Sequence, residues 1–371
     1  MIGRMMMLLF LLLPLLALAY VCWHVWLLLP LSWGWKILVV LLMVGAFAML
    51  FASIFRATDR LPMPLATAVY EVGTSSIIVL LYLTMLFVVL DIARLVHLLP
   101  AAWLRDNWWT VGGIVLLLFG LFVYGNLRYR HKYREEVTLR SAKVTKPVKL
   151  VLMSDLHLGY HNRRKEFARW VDLINNEHPD MILVAGDIID GSMRPLRDER
   201  MHEEFRRLEA PVFACLGNHE YFSGEPEAQR FYRDADICLL QDTTTQLGDL
   251  CIMGRDDRMN RRRLPLKDLV ASADKTKYLI LLDHQPYHLE QAEREGVDFQ
   301  FSGHTHHGQV WPVSWITDMM YECAFGTYQR GATHYYISSG MGIWGGKFRI
   351  GTRSEYLVLN IEPLLQGQAG G

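Results

Sequence analysis

The chain has 371 residues, 51% of them hydrophobic, with 38 basic and 38 acidic side chains and so no formal net charge. That balance gives no global attraction for nucleic acid, and the length leaves room for two structural units. Five cysteines without a CxxC spacing argue against a zinc ribbon and for buried free thiols.

The averages conceal a split. Residues 1–127 carry few charges and are rich in Leu, Val, Met and Trp. A helix of about 20 apolar residues crosses a bilayer, and four stretches qualify, near residues 5–30, 37–55, 72–90 and 108–124. Trp33, Trp35, Trp103, Trp108 and Trp109 fall at their ends, where interfacial aromatics anchor a span. The first stretch opens like a signal peptide, with Arg4, a Leu-rich run and Ala17-Leu18-Ala19. The apolar run continues past the cleavage point and more spans follow, which favours an uncleaved helix. Glu71 is the nearest acidic side chain to a span, and so little intramembrane charge argues against an ion path. With four spans, Arg4, Arg56, Arg60, Arg128, Arg130, Lys132 and Arg134 share one side, against Lys36, Arg94 and Arg105 on the other. The bias places everything after the fourth span in the cytoplasm.

Residues 128–146 hold seven Lys or Arg beside Glu135 and Glu136, and read as a basic juxtamembrane linker. Such a segment either binds anionic headgroups or is simply solvated. From Pro147 a strand, loop, helix pattern repeats. Short apolar runs at 148–153, 181–185, 211–216, 278–282 and 299–301 predict five strands, with further candidates at 335–337 and 356–361. Phe167, Trp170, Val171 and Ile174 recur at helical spacing. Each of the five strands ends in polar residues able to bind metal. Open α/β sheets place ligands beyond the carboxyl ends of their strands, so the arrangement predicts a layered α/β domain over 147–362. Residues 363–371 read as a loose tail.

The polar groups are Asp155 and His157, Asp187, Asn218 and His219, His284, then His304 and His306. Carboxylate, imidazole and amide oxygen suit divalent transition metals. In an extended segment Asp155 and His157 would share one face, and His304 and His306 would repeat the device. Asp187 is the natural carboxylate to bridge two ions, and Gly186, Gly217 and Gly303 permit tight turns or close backbone approach. Each piece alone is weak; the ordered set is specific.

Asp155-Leu156-His157, Gly186-Asp187, Gly217-Asn218-His219-Glu220, His284 and Gly303-His304-Thr305-His306 together resemble the calcineurin-like metallophosphoesterases. The likeness extends through His284-Gln285-Pro286, Gly308-Gln309 and Gly340-Met341-Gly342-Ile343-Trp344 to a membrane-associated bacterial branch that includes UDP-2,3-diacylglucosamine hydrolase-like enzymes. That resemblance implies a four-layer α/β/β/α sandwich behind a multi-pass helical membrane region, in a bacterial inner membrane. It implies two divalent ions, with Mn, Fe or Zn suiting the mixed ligands. Asp155, His157, Asp187 and His306 would hold the first ion, and Asp187, Asn218, His284 and His304 the second. His219 would be the catalytic acid, with Glu220 orienting it. The expected reaction is attack on phosphorus by a hydroxide shared between the ions. This chain departs from the branch at His307, where Gly is usual; the extra imidazole could touch substrate or face solvent.

The expected substrate is a phosphodiester, pyrophosphate or phosphomonoester, with a membrane lipid or lipid-linked nucleotide as one option and a soluble nucleotide as another. A non-catalytic membrane sensor or scaffold is the alternative from a different class. Arg255, Arg258, Arg261, Arg262 and Arg263 form a basic loop that either holds phosphate or is solvated. Trp311, Trp315, Trp344 and Phe348 are either an apolar rim or ordinary packing, and Arg349 is a weak phosphate candidate. The sequence names no protein partner.

Overall fold

In the computed structural model the chain is described over residues 2–364, with side chains from residue 12 onward. Of the tail expected at 363–371, Pro363 ends the last strand, and residues 365–371 lie outside the described residues. Two compact units result: one runs to Gly125 and includes Gly345–Lys347, the other holds, among the described residues, 126–344 and 348–364.

The first unit is helical: α1 (Ile2–Leu28), α2 (Trp33–Ile54), α3 (Met63–Leu95) and the start of α4 (Trp108–Arg130). Helices α2, α3 and α4 are each long and apolar enough to cross a membrane, and α1 is apolar over Leu12–Leu28. At 33 residues α3 is about 50 Å long. It overruns the apolar stretch from which it was predicted because Pro62 and Pro64 set its start well before the hydrophobic run. The helices pack through Val21, Leu28, Phe47, Leu80 and Phe87, while Trp33, Trp35, Trp103, Trp108 and Trp109 are exposed. Glu71 is exposed. The ionisable network of this unit lies instead on Asp91 of α3, which accepts from Tyr20 Oη at 2.8 Å and lies 3.0 Å from His24 Nε2 of α1. It escaped the sequence reading because Asp91 sits only four residues before the end of α3, outside the predicted span.

The second unit contains β1 (Lys132–Ser141), β2 (Val148–Met153), α5 (Arg164–Asn175), β3 (Met181–Ala185), α6 (Arg194–Asp198), α7 (His202–Phe205), β4 (Val212–Cys215), α8 (Asn218–Ser223), α9 (Glu225–Asp234) and β5 (Ile237–Leu239). There follow β6 (Thr243–Leu247), β7 (Leu250–Gly254), α10 (Leu266–Ala271), β8 (Tyr278–Leu282), α11 (Leu289–Glu295), β9 (Phe299–Ser302), α12 (Val313–Met320), β10 (Gly326–Arg330), β11 (Thr333–Ile337) and β12 (Ser354–Pro363). One sheet has the order β1-β12-β2-β3-β4-β5 and the other β10-β11-β9-β8-β7-β6. Side chains alternate along each strand, so every strand feeds two layers. Leu150 and Leu152 of β2 join Ile280, Leu282 and Phe301 in the core between the sheets. Val151 and Met153 face the other way, onto Phe167, Trp170 and Phe205. The far side of the second sheet packs on Leu269, Val270 and Leu289 of α10 and α11. The result is helix, sheet, sheet, helix.

The segment expected as a linker is instead largely strand. β1 pairs in parallel with β12 along its whole length, Lys132 with Ser354 through Ser141 with Pro363. Val137 and Leu139 pack against the inter-sheet core, while Glu136, Thr138 and Arg140 are exposed. The outward charges masked this alternation in the sequence.

Candidate metal centre

Strands β2, β3 and β4 run parallel in one sheet, and β8 and β9 run parallel in the other. Parallel strands present their carboxyl ends at a common edge, so five loops converge there. The loops are stitched across both sheets. Asp155 N–H donates to the Gly186 carbonyl at 3.1 Å and His157 N–H to the Asp187 carbonyl at 3.0 Å. His304 N–H donates to the Asp155 carboxylate at 3.1 Å.

Among the described residues, three groups of side chains offer ligand atoms within 4.8 Å of one another: Asp155, His157 and His306; Asp187, His284 and His304; and His157, Asp187 and His219. Asp187 lies between the first two: its Oδ2 is 3.1 Å from His284 Nε2 and 3.7 Å from His157 Nε2. His157 Nε2 is 3.0 Å from His306 Nε2. Asp155, His157, Asp187, His219, His284, His304 and His306 are therefore gathered here, and Asn218 starts α8 beside His219.

Asp155, His157, Asp187, His304 and His306 have φ between 44° and 70°. The expected extended Asp-x-His and His-x-His arrangements are therefore replaced by left-handed turns. Such backbone is uncommon outside glycine and stores about 1–3 kcal/mol per residue at sites that need it. The turns point neighbouring side chains inward together, which a flat strand would not do from two sheets at once. Gly186, at φ 73°, admits this closeness: a Cβ there would meet Gly217 N at 2.6 Å and His284 Nδ1 at 2.9 Å. Gly303 has the same role against Ser154, whose Oγ would lie 2.6 Å from its Cβ.

The donor set fits a divalent cation. His284 donates through Nδ1 to the Ala185 carbonyl at 2.7 Å, so its Nε2 is the nitrogen turned to Asp187. Asn218 Oδ1 is buried without a hydrogen-bond partner. Burial disfavours charge on His284, yet Asp187 raises its proton affinity well above the usual imidazole range; a cation would satisfy the same negative field. Burial, with His284 alongside, pushes His304 down to about 3. Burial and His157 likewise hold His306 well below the normal range. Both rings therefore keep free electron pairs. Burial, aided by Asp187, raises Asp155. Two buried carboxylates facing imidazoles are costly unless a cation compensates them.

The supporting contacts revise several expectations. Glu220 does not orient His219. Its carboxylate accepts the N–H groups of Gly217 at 2.7 Å, Asp187 at 3.0 Å and Ile189 at 3.0 Å, fixing the loops after β3 and β4. His219 is held by the Asp190 carbonyl, which accepts from its Nδ1. Burial works against the His219 cation, but Asp187 and Asp190 outweigh it and raise its proton affinity. Arg349, weighed as a phosphate contact, is fully buried. It donates to the carbonyls of His306 at 2.7 Å, Ser339 at 2.5 Å and Gly342 at 3.1 Å. His307, partly exposed, lies 3.3 Å from Asp318 and stacks on Phe325. In the basic loop Arg255 and Arg263 pair with Asp283 and Arg258 covers the Tyr287 ring, leaving Arg261 and Arg262 exposed.

The residue that sequence reasoning missed is Asp190. Its Oδ1 is 3.1 Å from His157 Nδ1, which leaves Nε2 for a metal. The only signal was a second carboxylate three positions after Asp187 in Gly186-Asp187-Ile188-Ile189-Asp190.

With this fold and this cluster of donors in place, residues 148–308 match the family described as Calcineurin-like phosphoesterase. The chain carries a calcineurin-like metallophosphoesterase domain and is a metal-dependent phosphoesterase. It is 29% identical over 259 residues to an uncharacterized metallophosphoesterase of Helicobacter pylori, covering 68% of this chain and 70% of that one. A Campylobacter jejuni protein of the same description is 29% identical over 255 residues, or 67% and 68% of the two chains. A Danio rerio protein named as a transmembrane protein with metallophosphoesterase domain is 29% identical over 227 residues, covering 56% of this chain and 52% of that one. The three long apolar helices accord with a membrane protein.

Proposed function

We propose that this chain hydrolyses a phosphodiester, pyrophosphate or phosphomonoester presented at a membrane, using two divalent ions and the residues gathered at the five strand ends. The observation that carries the reading is the pair of donor triads, Asp155-His157-His306 and Asp187-His284-His304, with Asp187 of the second also facing His157 of the first and Asn218 Oδ1 buried without a hydrogen bond. In this reading Asp187 is shared, and Asn218 Oδ1 completes the second set. Bound ions would supply Lewis acidity at the phosphoryl oxygens and a nucleophilic water at neutral pH. His219, tied through Nδ1 to the Asp190 carbonyl, leaves Nε2 to give a proton to the departing oxygen. Glu220 keeps the loops in register rather than touching substrate. The charge bias of the loops supports a cytoplasmic domain in a bacterial inner membrane, and the membrane helices support a lipid-borne or lipid-linked substrate.

The test is hydrolysis of an aryl phosphodiester, an aryl phosphomonoester and a UDP-linked acyl-sugar by full-length protein in detergent with Mn²⁺. Bound metal is measured in parallel. Wild type should turn over at least one of them, and Asp187→Asn should lose both activity and metal. Equal hydrolysis by the two proteins sinks the proposal. Metal binding by wild type without turnover of any substrate replaces it with the sensor reading.

A further inference from the structure

Exposed large apolar side chains of the second unit are mostly scattered, as at Phe222, Leu247 and Leu264, but on α12 they form one patch. Trp315, Ile316, Met319 and Met320 are 60%, 50%, 80% and 62% exposed. Their spacing puts them on one stripe of the helix. Trp311, which precedes the helix, extends the stripe: its ring meets that of Trp315 edge-on, with centroids 5.4 Å apart. The opposite side of α12 is anchored. Ser314 is buried, and Asp318 lies 3.3 Å from His307. A Cβ on Gly308 would strike the Val313 carbonyl carbon at 2.5 Å, so the helix sits directly on the turn that carries His306. A contiguous exposed apolar face on an otherwise ordinary surface marks an interaction site.

We propose that Trp311 and α12 form a bilayer-contacting face, with the stripe seated among lipid headgroups beside the metal centre. The chain's covalent path favours lipid over other occupants. Helix α4 ends at Arg130 and β1 begins at Lys132, so no flexible linker separates a membrane-spanning helix from the first strand. Trp311 N–H donates to the Ile350 carbonyl at 2.7 Å. Ile350 is two residues before Thr352, whose carbonyl accepts from Nε of Arg128, in the last turn of α4, at 3.1 Å. Two extended residues reach at most about 7 Å. The composition agrees: tryptophan prefers the membrane interface, and the stripe's own side chains carry no charge, with half-exposed Asp318 at its edge facing His307 at 3.3 Å.

The experiment places nitroxide labels on full-length protein in phosphatidylcholine and phosphatidylglycerol nanodiscs. The labels sit at Met319→Cys or Ile316→Cys, with Lys165→Cys on exposed α5 as reference. Cys22, Cys238 and Cys323, the native cysteines that are not buried, are changed to Ser. At 316 and 319 dissolved oxygen should relax the spins more than a water-soluble nickel chelate does, at a depth of about 5–10 Å. The order should reverse at 165. Relaxation by the chelate at 316 and 319 equal to that at 165 overturns the proposal. Shielding from both reagents, with disulfide crosslinking between copies of the unlabelled Met319→Cys protein, also overturns it in favour of a protein interface. Neither readout depends on turnover, so the outcome is separate from that of the hydrolysis test.

Discussion

His157 shows how a single side chain is made fit for a metal. Its Nδ1 faces Asp190, so the tautomer is fixed and Nε2 is left toward Asp155, Asp187 and His306. Partners that orient a ligand in this way are worth about 10–100-fold in metal affinity. Asp190→Asn should therefore weaken Mn²⁺ binding by about that factor while leaving the fold intact, as read by metal titration and circular dichroism. Arg349 works differently, because it holds the backbone and no side chain of the cluster. Replacing it with Met leaves the carbonyls of His306, Ser339 and Gly342 without this buried donor. Each unsatisfied group costs about 1–3 kcal/mol, so Arg349→Met should lower stability by about 3 kcal/mol or more. A thermal melt in detergent that matches wild type would refute that role.

At the scale of elements, the site follows from strand direction. Five parallel strands in two sheets deliver five loops to one edge, and the left-handed turns after β2, β3 and β9 close the remaining distance. The same sheet binds the juxtamembrane segment to the domain. Glu177, just after α5, accepts from Arg134 of β1 at 2.8 Å, Lys149 of β2 at 3.0 Å and Tyr356 of β12 at 2.9 Å. Burial would raise its pKa, but these three partners hold it below the usual carboxylate range. A group whose folded pKa is depressed stabilises fully above its unfolded value and loses that contribution as pH falls through the folded one. Glu177→Gln should thus lower the melting temperature at neutral pH. Its deficit against wild type should shrink from about pH 5 downward. A deficit that is constant with pH would show that the carboxylate charge contributes nothing.

At the scale of the whole molecule, a helical membrane unit and a phosphoesterase domain share one chain, and the proposed orientation follows from loop charge alone. Cys238, exposed on β5, gives a direct test. In spheroplasts of an expressing bacterium it should resist a membrane-impermeant maleimide and react only after lysis. Labelling of intact spheroplasts would place the domain outside the cytoplasm and reverse the charge-rule assignment.

Much of the candidate site was legible in the sequence because ligand chemistry restricts residue type. Carboxylates, imidazoles and an amide, each following an apolar run, had few alternative explanations once they appeared in order. The membrane helices were equally legible, since apolar length by itself meets the demand of a bilayer. What only the tertiary structure decided were the features set by neighbours distant in sequence. β1 is a strand because β12, more than 200 residues later, offers it a ladder. Glu220 serves the loops and not His219 because three N–H groups from two loops surround it. Arg349 is buried because three segments turn their polar atoms toward it. In each case the local residues permitted several roles, and hydrogen-bond satisfaction in the folded interior selected one.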